Sequence, residues 1–240
     1  MDHPLLCIAH RGGPGPENSL QAVDRSLALG VDGIEIDVWQ IEGELLATHD
    51  RRLGRDVPGY GLLVNHTLAE LRELRLTNGE PIPTLRQILE RVQDRVLLNI
   101  EIKGPGCAPV LARELTRYAQ DTGLGLEHYI ASSFDHHQLF DLKQRLPSVR
   151  RGVLVEGNPL DYAACCEPLG AYAFNTGMTF VNAELIADAR RRGLKNWVYT
   201  VNHPEDWDWL QALGVDAVFT DLPEQLLEHN RLGFSPCMAF

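Results

Sequence analysis

The stretch Ile34-Glu35-Ile36-Asp37-Val38 decides the fold. Apolar and acidic residues alternate strictly along it, and side chains two apart on an extended chain share a face. Ile34, Ile36 and Val38 therefore form one face, and Glu35 and Asp37 the other. The pattern returns in Leu98-Asn99-Ile100-Glu101-Ile102-Lys103, where Asn99, Glu101 and Lys103 alternate with Leu98, Ile100 and Ile102. Two such segments predict neighbouring strands that turn apolar faces toward covering helices and polar faces into a shared interior.

Working outward, short apolar or β-branched runs recur at residues 5–9, 33–38, 96–102, 128–132, 150–155, 171–175, 196–201 and 216–219. Helical patterns separate most of them. The first has Leu20, Val23 and Leu27 at spacings of three and four, begun by Asn18 with Gln21 three later and closed by Gly30. Others occupy residues 84–92, 109–121, 135–145, 160–167, 182–192, 204–213 and 223–230. Strand-helix repetition implies parallel strands with helical crossovers, and eight units predict a (β/α)8 TIM barrel, with a doubly wound sheet as the alternative. The chain of 240 residues is close to the ~250 typical of such a barrel and is expected to form a single domain over 1–240. Residues 51–83, rich in Gly and Pro, predict a small insertion between strand 2 and helix 2, with a short helix over 67–76.

Net charge −11 argues against a nucleic-acid partner, whose backbone is held by Lys and Arg releasing counterions. A small anionic substrate stays open, because a few cations inside a cleft can bind it. Residues 1–10 lack the basic and apolar regions of a signal peptide, and no apolar run is long enough to span a membrane, so no stable membrane association is expected. The five cysteines, Cys7, Cys107, Cys165, Cys166 and Cys237, are odd in number and show no CxxC spacing. That argues against a disulfide framework or a zinc site and predicts a reducing, cytoplasmic setting.

Glu35, Asp37 and Glu101 come from two neighbouring strands, near the ends where barrel enzymes carry their chemistry. Three such carboxylates repel one another unless a cation joins them, and an all-oxygen set suits Mg²⁺ or Ca²⁺ better than zinc. The competing reading is an internal ion-pair network with Lys103 and Arg11. The first strand ends in His10-Arg11-Gly12-Gly13, placing a proton-transfer group and a bidentate phosphate grip at the barrel mouth. Thr48-His49-Asp50 ends another short extended run and supplies a second imidazole with a candidate orienting carboxylate. His136 and His137 read as solvated residues at a helix start and His203 as a turn residue, while His3, His66, His128 and His229 show no partner pattern.

Taken in order, His10-Arg11-Gly12, Glu17-Asn18-Ser19, Glu35-Ile36-Asp37, His49-Asp50, Glu101-Ile102-Lys103, Tyr199-Thr200-Val201-Asn202 and Gly214-Val215-Asp216 through Thr220-Asp221 resemble the glycerophosphodiester phosphodiesterase family, especially its short bacterial cytosolic members. The likeness spans nearly the whole chain. Ser19 stands where the family usually has Thr, and Tyr199 where Trp is common.

The resemblance implies hydrolysis of glycerophosphodiesters, such as glycerophosphocholine or glycerophosphoethanolamine, to an alcohol and sn-glycerol 3-phosphate. It implies that Glu35, Asp37 and Glu101 hold a divalent cation, that Arg11 binds the phosphate, and that His10 and His49 exchange protons. Lys103 is expected to help neutralise charge developing on phosphorus, and Phe134 to form an apolar wall or, equally, a core position. Glu17 is expected to support the metal or a histidine from behind, and Asp50 to orient or cap the following turn. His10 is favoured as base and His49 as acid. Competing functions are a lysophospholipase D-type activity on acylated substrates and a noncatalytic barrel that binds phosphorylated metabolites. For Asn202 and Asp221, loop structure serves as well as chemistry.

Overall fold

The computed structural model describes residues 4–233, so His3 and Cys237 lie outside the described residues. Eight strands run parallel: β1 (Leu6–Ala9), β2 (Gly33–Ile41), β4 (Leu97–Ile102), β5 (Tyr129–Ser133), β6 (Arg150–Val155), β7 (Ala173–Gly177), β8 (Lys195–Tyr199) and β9 (Ala217–Thr220). Because β1 pairs with both β2 and β9, the sheet closes on itself. This is the expected (β/α)8 barrel, and the doubly wound alternative falls. The short run Glu44–Ala47 forms β3, antiparallel to the protruding end of β2 through Val38↔Ala47 and Ile41↔Glu44.

Helices α1 (Leu20–Leu29), α3 (Leu85–Val92), α4 (Cys107–Thr122), α5 (His136–Arg145), α6 (Ala183–Arg191), α7 (Pro204–Leu213) and α8 (Pro223–Leu232) cover the barrel. Their apolar stripes meet the outward residues Ile34, Ile36, Val38, Leu98, Ile100 and Ile102 in one large core. Inside the barrel a second apolar cluster of Ile8, Ile130, Ala173, Trp197, Ala217 and Phe219 fills the lower lumen. Trp197 sits edge-on between Tyr172 and Phe219, at ring distances of 6.1 and 5.8 Å, and closes that floor. With the lumen blocked below, the polar side chains of β2 and β4 open only toward the carboxyl ends of the strands.

Two local expectations change. Helix α1 starts one residue later than Asn18: the Ser19 hydroxyl accepts from Ala22 N–H, and Gly30 closes the helix in the left-handed region. Asn18 is displaced from the cap because its buried amide bonds Asp37. The predicted helix over 160–167 is only a 3-10 turn, Ala164–Cys166. Tyr162 adopts a positive φ of 51° and Gly170 one of 55°, and Pro168 between them has no N–H to donate, so no regular helix extends in either direction.

The insertion contains the short helix α2 (Leu68–Glu73), begun by a capping box between Thr67 and Glu70. It has its own small core, in which Val57, Leu63, Leu71 and Ile82 pack on Trp39 and Leu46 of the β2–β3 hairpin. The insertion is thereby fastened to the strand that carries Glu35 and Asp37.

After β1 the chain turns sharply through Gly12 and Gly13, with φ of 88° and 101°. A Cβ on Gly13 would lie 2.0 Å from Ser26 Oγ. Gly13→Ala combines a disfavoured φ with overpacking, and is expected to cost about 2–5 kcal/mol. Urea unfolding should show a lower midpoint with an unchanged slope.

Candidate active site

Strand register builds the site. Parallel pairing of β2 and β4 sets Glu35 opposite Asn99 and Asp37 opposite Glu101. The result is a group of carboxylates, Glu35, Asp37 and Glu101, whose nearest oxygens all lie within 4.8 Å of one another. Glu35 and Asp37 are buried, at 2% and 1% exposure.

The ion-pair network considered from sequence is present in part. Lys103 Nζ lies 2.6 Å from Glu101 Oε1 and 3.6 Å from Asp37 Oδ1, and Arg11 Nε lies 3.9 Å from Asp37 Oδ2. Asp37 also accepts from Asn18 Nδ2 at 3.0 Å, and its backbone N–H donates to Asn18 Oδ1 at 2.9 Å. These contacts leave Glu35 uncompensated on one side. Its Oε2 accepts from Arg11 N–H at 2.7 Å, but Oε1 is buried without any hydrogen-bond partner. An orphaned carboxylate oxygen facing two further carboxylates is a set that a hard divalent cation would complete. Burial, and then the charges of Asp37 and Glu101, push the Glu35 carboxyl well above its usual range. Burial and Asp37 raise Glu101 too. Lys103 stays charged: burial disfavours the ammonium, but Glu101 and Asp37 outweigh it.

Both expected imidazoles face the same cavity of about 150 Å³, together with Arg11, the carboxylates, Lys103, Phe134 and Tyr199. His10 Nδ1 lies 2.7 Å from Asp221 Oδ1, and its Nε2 is 4.0 Å from Glu35 Oε2. The hydrogen bond from His10 holds Asp221 below the usual carboxylate range, so Nδ1 is the donor and Nε2 is left for exchange. His49 repeats the arrangement, with Nδ1 2.8 Å from Asp50 Oδ1. Burial lowers the His49 pKa, although Asp37 and Asp50 work the other way.

Glu17 meets neither the acidic cluster nor a histidine. It accepts from Arg11 Nη1 at 2.8 Å and fixes the guanidinium instead. Asp50 bonds His49 through Oδ1, as its candidacy as an orienting carboxylate requires, and both its oxygens accept from Arg55. Phe134 is 44% exposed, which rules out the core reading; it packs edge-on against Tyr199 at 5.8 Å on the cavity wall. Tyr199 is pinned there by donating to Val155 O at 2.9 Å.

Asp221 is the site group that loop reasoning left undecided. Asn202 Nδ2 donates to its Oδ2 at 2.8 Å, while Asn202 Oδ1 accepts from Asp221 N–H and Thr220 Oγ1. Its position at the end of the last strand, directly beside β1, was the available signal.

Two cations beside a carboxylate cluster, and two imidazoles each bonded to an aspartate, thus meet at the carboxyl ends of the strands. The class is a phosphodiester-hydrolysing (β/α)8 barrel. The model of the glycerophosphoryl diester phosphodiesterase family matches residues 10–225. A glycerophosphodiester phosphodiesterase of Caldanaerobacter subterraneus subsp. tengcongensis is 33% identical over 244 residues, covering 95% of this chain and 98% of the relative. A phosphodiesterase of Oleispira antarctica, solved in complex with the product sn-glycerol-3-phosphate, superposes with a TM-score of 0.85 at 27% identity, covering 95% of this chain and 97% of that one. A glycerophosphodiester phosphodiesterase of Thermotoga maritima superposes at 0.73 with 25% identity, covering 94% and 98% of the two chains. The chain belongs to the glycerophosphoryl diester phosphodiesterase family and is a phosphoric diester hydrolase. Among the described residues no helix is long and apolar enough to cross a membrane.

The raised carboxyls have a consequence for stability. An acid whose folded pKa exceeds its unfolded value, near 4.5 for Glu35 and Glu101, stabilises the fold below that value. The contribution is lost as pH rises through the folded pKa. In chelator, the melting temperature is expected to fall as pH climbs from about 4.5 toward neutrality. In Glu35→Gln the fall should be shallower, as read by calorimetry.

Proposed function

We propose that the enzyme hydrolyses glycerophosphodiesters, such as glycerophosphocholine and glycerophosphoethanolamine, to an alcohol and sn-glycerol 3-phosphate with the help of Mg²⁺ or Ca²⁺. The observation that carries the metal dependence is Glu35 Oε1, buried and unpartnered within the carboxylate cluster. Glu35, Asp37 and Glu101 would hold the ion. When bound, it would supply Lewis-acid polarisation of a phosphoryl oxygen.

The protein's own groups do the rest. Arg11, clamped by Glu17, grips the phosphate, and Lys103 adds a second positive charge where negative charge builds in the transition state. His10 Nε2 takes the proton from the attacking nucleophile, ultimately water. His49 delivers a proton to the alcohol oxygen as its bond to phosphorus breaks. The two aspartates support this division of labour. Asp221 is steadied by the neutral amide of Asn202 and keeps its charge for His10, whereas Asp50 shares its charge with Arg55, and burial makes His49 give up its proton more readily. Phe134 and Tyr199 line the apolar side of the glycerol. The cavity, at about 150 Å³, is smaller than the ~300–1,000 Å³ of pockets that enclose a drug-sized ligand. It therefore takes the glycerol phosphate half and leaves the alcohol toward solvent, which suits a broad range of alcohols.

His10→Ala and His49→Ala are each expected to lower kcat by at least ~10²-fold, the lower end of acid-base contributions. The readout is glycerol 3-phosphate release, coupled to its dehydrogenase. Unchanged turnover in either variant refutes that assignment. In the same assay, EDTA should abolish activity and added Mg²⁺ or Ca²⁺ should restore it; full activity in chelator removes the ion from the account.

A further inference from the structure

The insertion reaches into the site through one side chain that neither spacing nor motif singled out. Arg55 Nη1 and Nη2 donate to the two oxygens of Glu17 at 2.8 Å each. Its Nε and Nη2 donate to the two oxygens of Asp50 at 2.6 and 3.1 Å. One guanidinium thus makes paired hydrogen bonds to two carboxylates on separate loops, one following β1 and one following β3. Each carboxylate continues inward: Glu17 to Arg11 Nη1, and Asp50 to His49 Nδ1. Asp56 ion-pairs with the same guanidinium from within the loop.

We propose that Arg55 is a positioning residue for the hydrolysis proposed above, joining the partner of the phosphate-binding Arg11 to the partner of His49 so that both groups are held in one register. Arg55 is 48% exposed, and a lone surface ion pair at such a position would contribute little. This one differs in two respects. Its donors are used in paired, planar contacts, which resist rotation. Its loop is also fixed at both ends. Leu53 N–H donates to Gly61 O and Leu63 N–H to Arg51 O, closing the loop base, while Val57 beyond the tip is buried against Trp39 and Leu63. Trp39 in turn donates from Nε1 to His49 O at 3.1 Å, tying the same small core to the histidine. The packed insertion therefore delivers Arg55 to a set place. Glu17 carries the opposing pulls in its titration: burial disfavours its charge, but hydrogen bonds from Arg55 and Asp56, and then the charge and hydrogen bond of Arg11, bring the carboxyl down to about 2.

The test compares wild type, Arg55→Met and Arg55→Lys in glycerophosphocholine hydrolysis, thermal melting and ¹⁵N NMR of the His49 ring. Arg55→Met is expected to melt close to wild type yet lose about 10–100-fold in kcat/KM, the range typical of residues that orient a site's groups from behind. Arg55→Lys should recover little, since an ammonium cannot bond both carboxylates in pairs. Adding Glu17→Gln to Arg55→Met should cost less than the sum of the single losses, because both act through Arg11. At a pH where the ring is neutral, the NMR spectrum of wild type should show His49 as the Nδ1–H tautomer, its Nε2 taking a second proton only in the imidazolium that acts as acid, and Arg55→Met should show a mixture. Unchanged kcat/KM, full recovery by lysine, or an unaltered tautomer in Arg55→Met overturns the proposal. Should wild type fail to cleave the diester, the substrate reading fails, and the tautomer measurement still decides the role of Arg55.

Discussion

Everything at the mouth of this barrel depends on like charges held together. Parallel pairing between β2 and β4 places Glu35, Asp37 and Glu101 within 4.8 Å of one another, in a lumen that excludes most water. Such a cluster opposes folding unless it is offset. The surroundings supply a partial offset: Lys103 and Arg11 on one flank, the Asn18 amide on another, and the backbone N–H of Arg11 on a third. What these leave over is one unpartnered oxygen on Glu35, the place where the proposed hard cation would bind. On the function proposed above, a divalent ion bound there would relieve that repulsion.

Around that centre the protein repeats one device at two places. An imidazole is held through Nδ1 by an aspartate, once with Asp221 and once with Asp50, which in the proposed mechanism leaves Nε2 for proton exchange. The aspartates differ in what steadies them, an amide on one side and a guanidinium on the other. That difference separates the two histidines chemically although their immediate contacts are alike. The insertion earns its length in this arrangement, since its small core anchors the guanidinium.

Much of this was legible in the sequence because it is periodic or local. Glu35 and Asp37 stand two apart on a strand, Glu101 and Lys103 likewise, and His49 precedes its own partner by one residue. The parallel barrel followed from the repetition of such units. Contacts that bridge long separations were not legible. Asp221 lies 211 residues from His10 and becomes its neighbour only because β9 closes the sheet against β1. Asn18 looked like a helix cap from its position, but tertiary bonding to Asp37 overrides that local preference and passes the cap to Ser19. Arg55 lies in a Gly-rich loop with no periodicity, so nothing short of the folded chain shows that it spans Glu17 and Asp50. The missing helix between β6 and β7 reflects the positive φ of Tyr162 and Gly170 and the absent N–H of Pro168, which outweigh a merely apolar pattern.

Anomalous diffraction from crystals soaked in Mn²⁺, a hard ion that shares the oxygen preference of Mg²⁺, locates the cation without reference to any substrate. One strong peak is expected, bounded by carboxylate oxygens of Glu35, Asp37 and Glu101 at about 2.0–2.6 Å. A map with no peak there, or with the ion bound elsewhere while Glu35 Oε1 finds a protein partner, would contradict it.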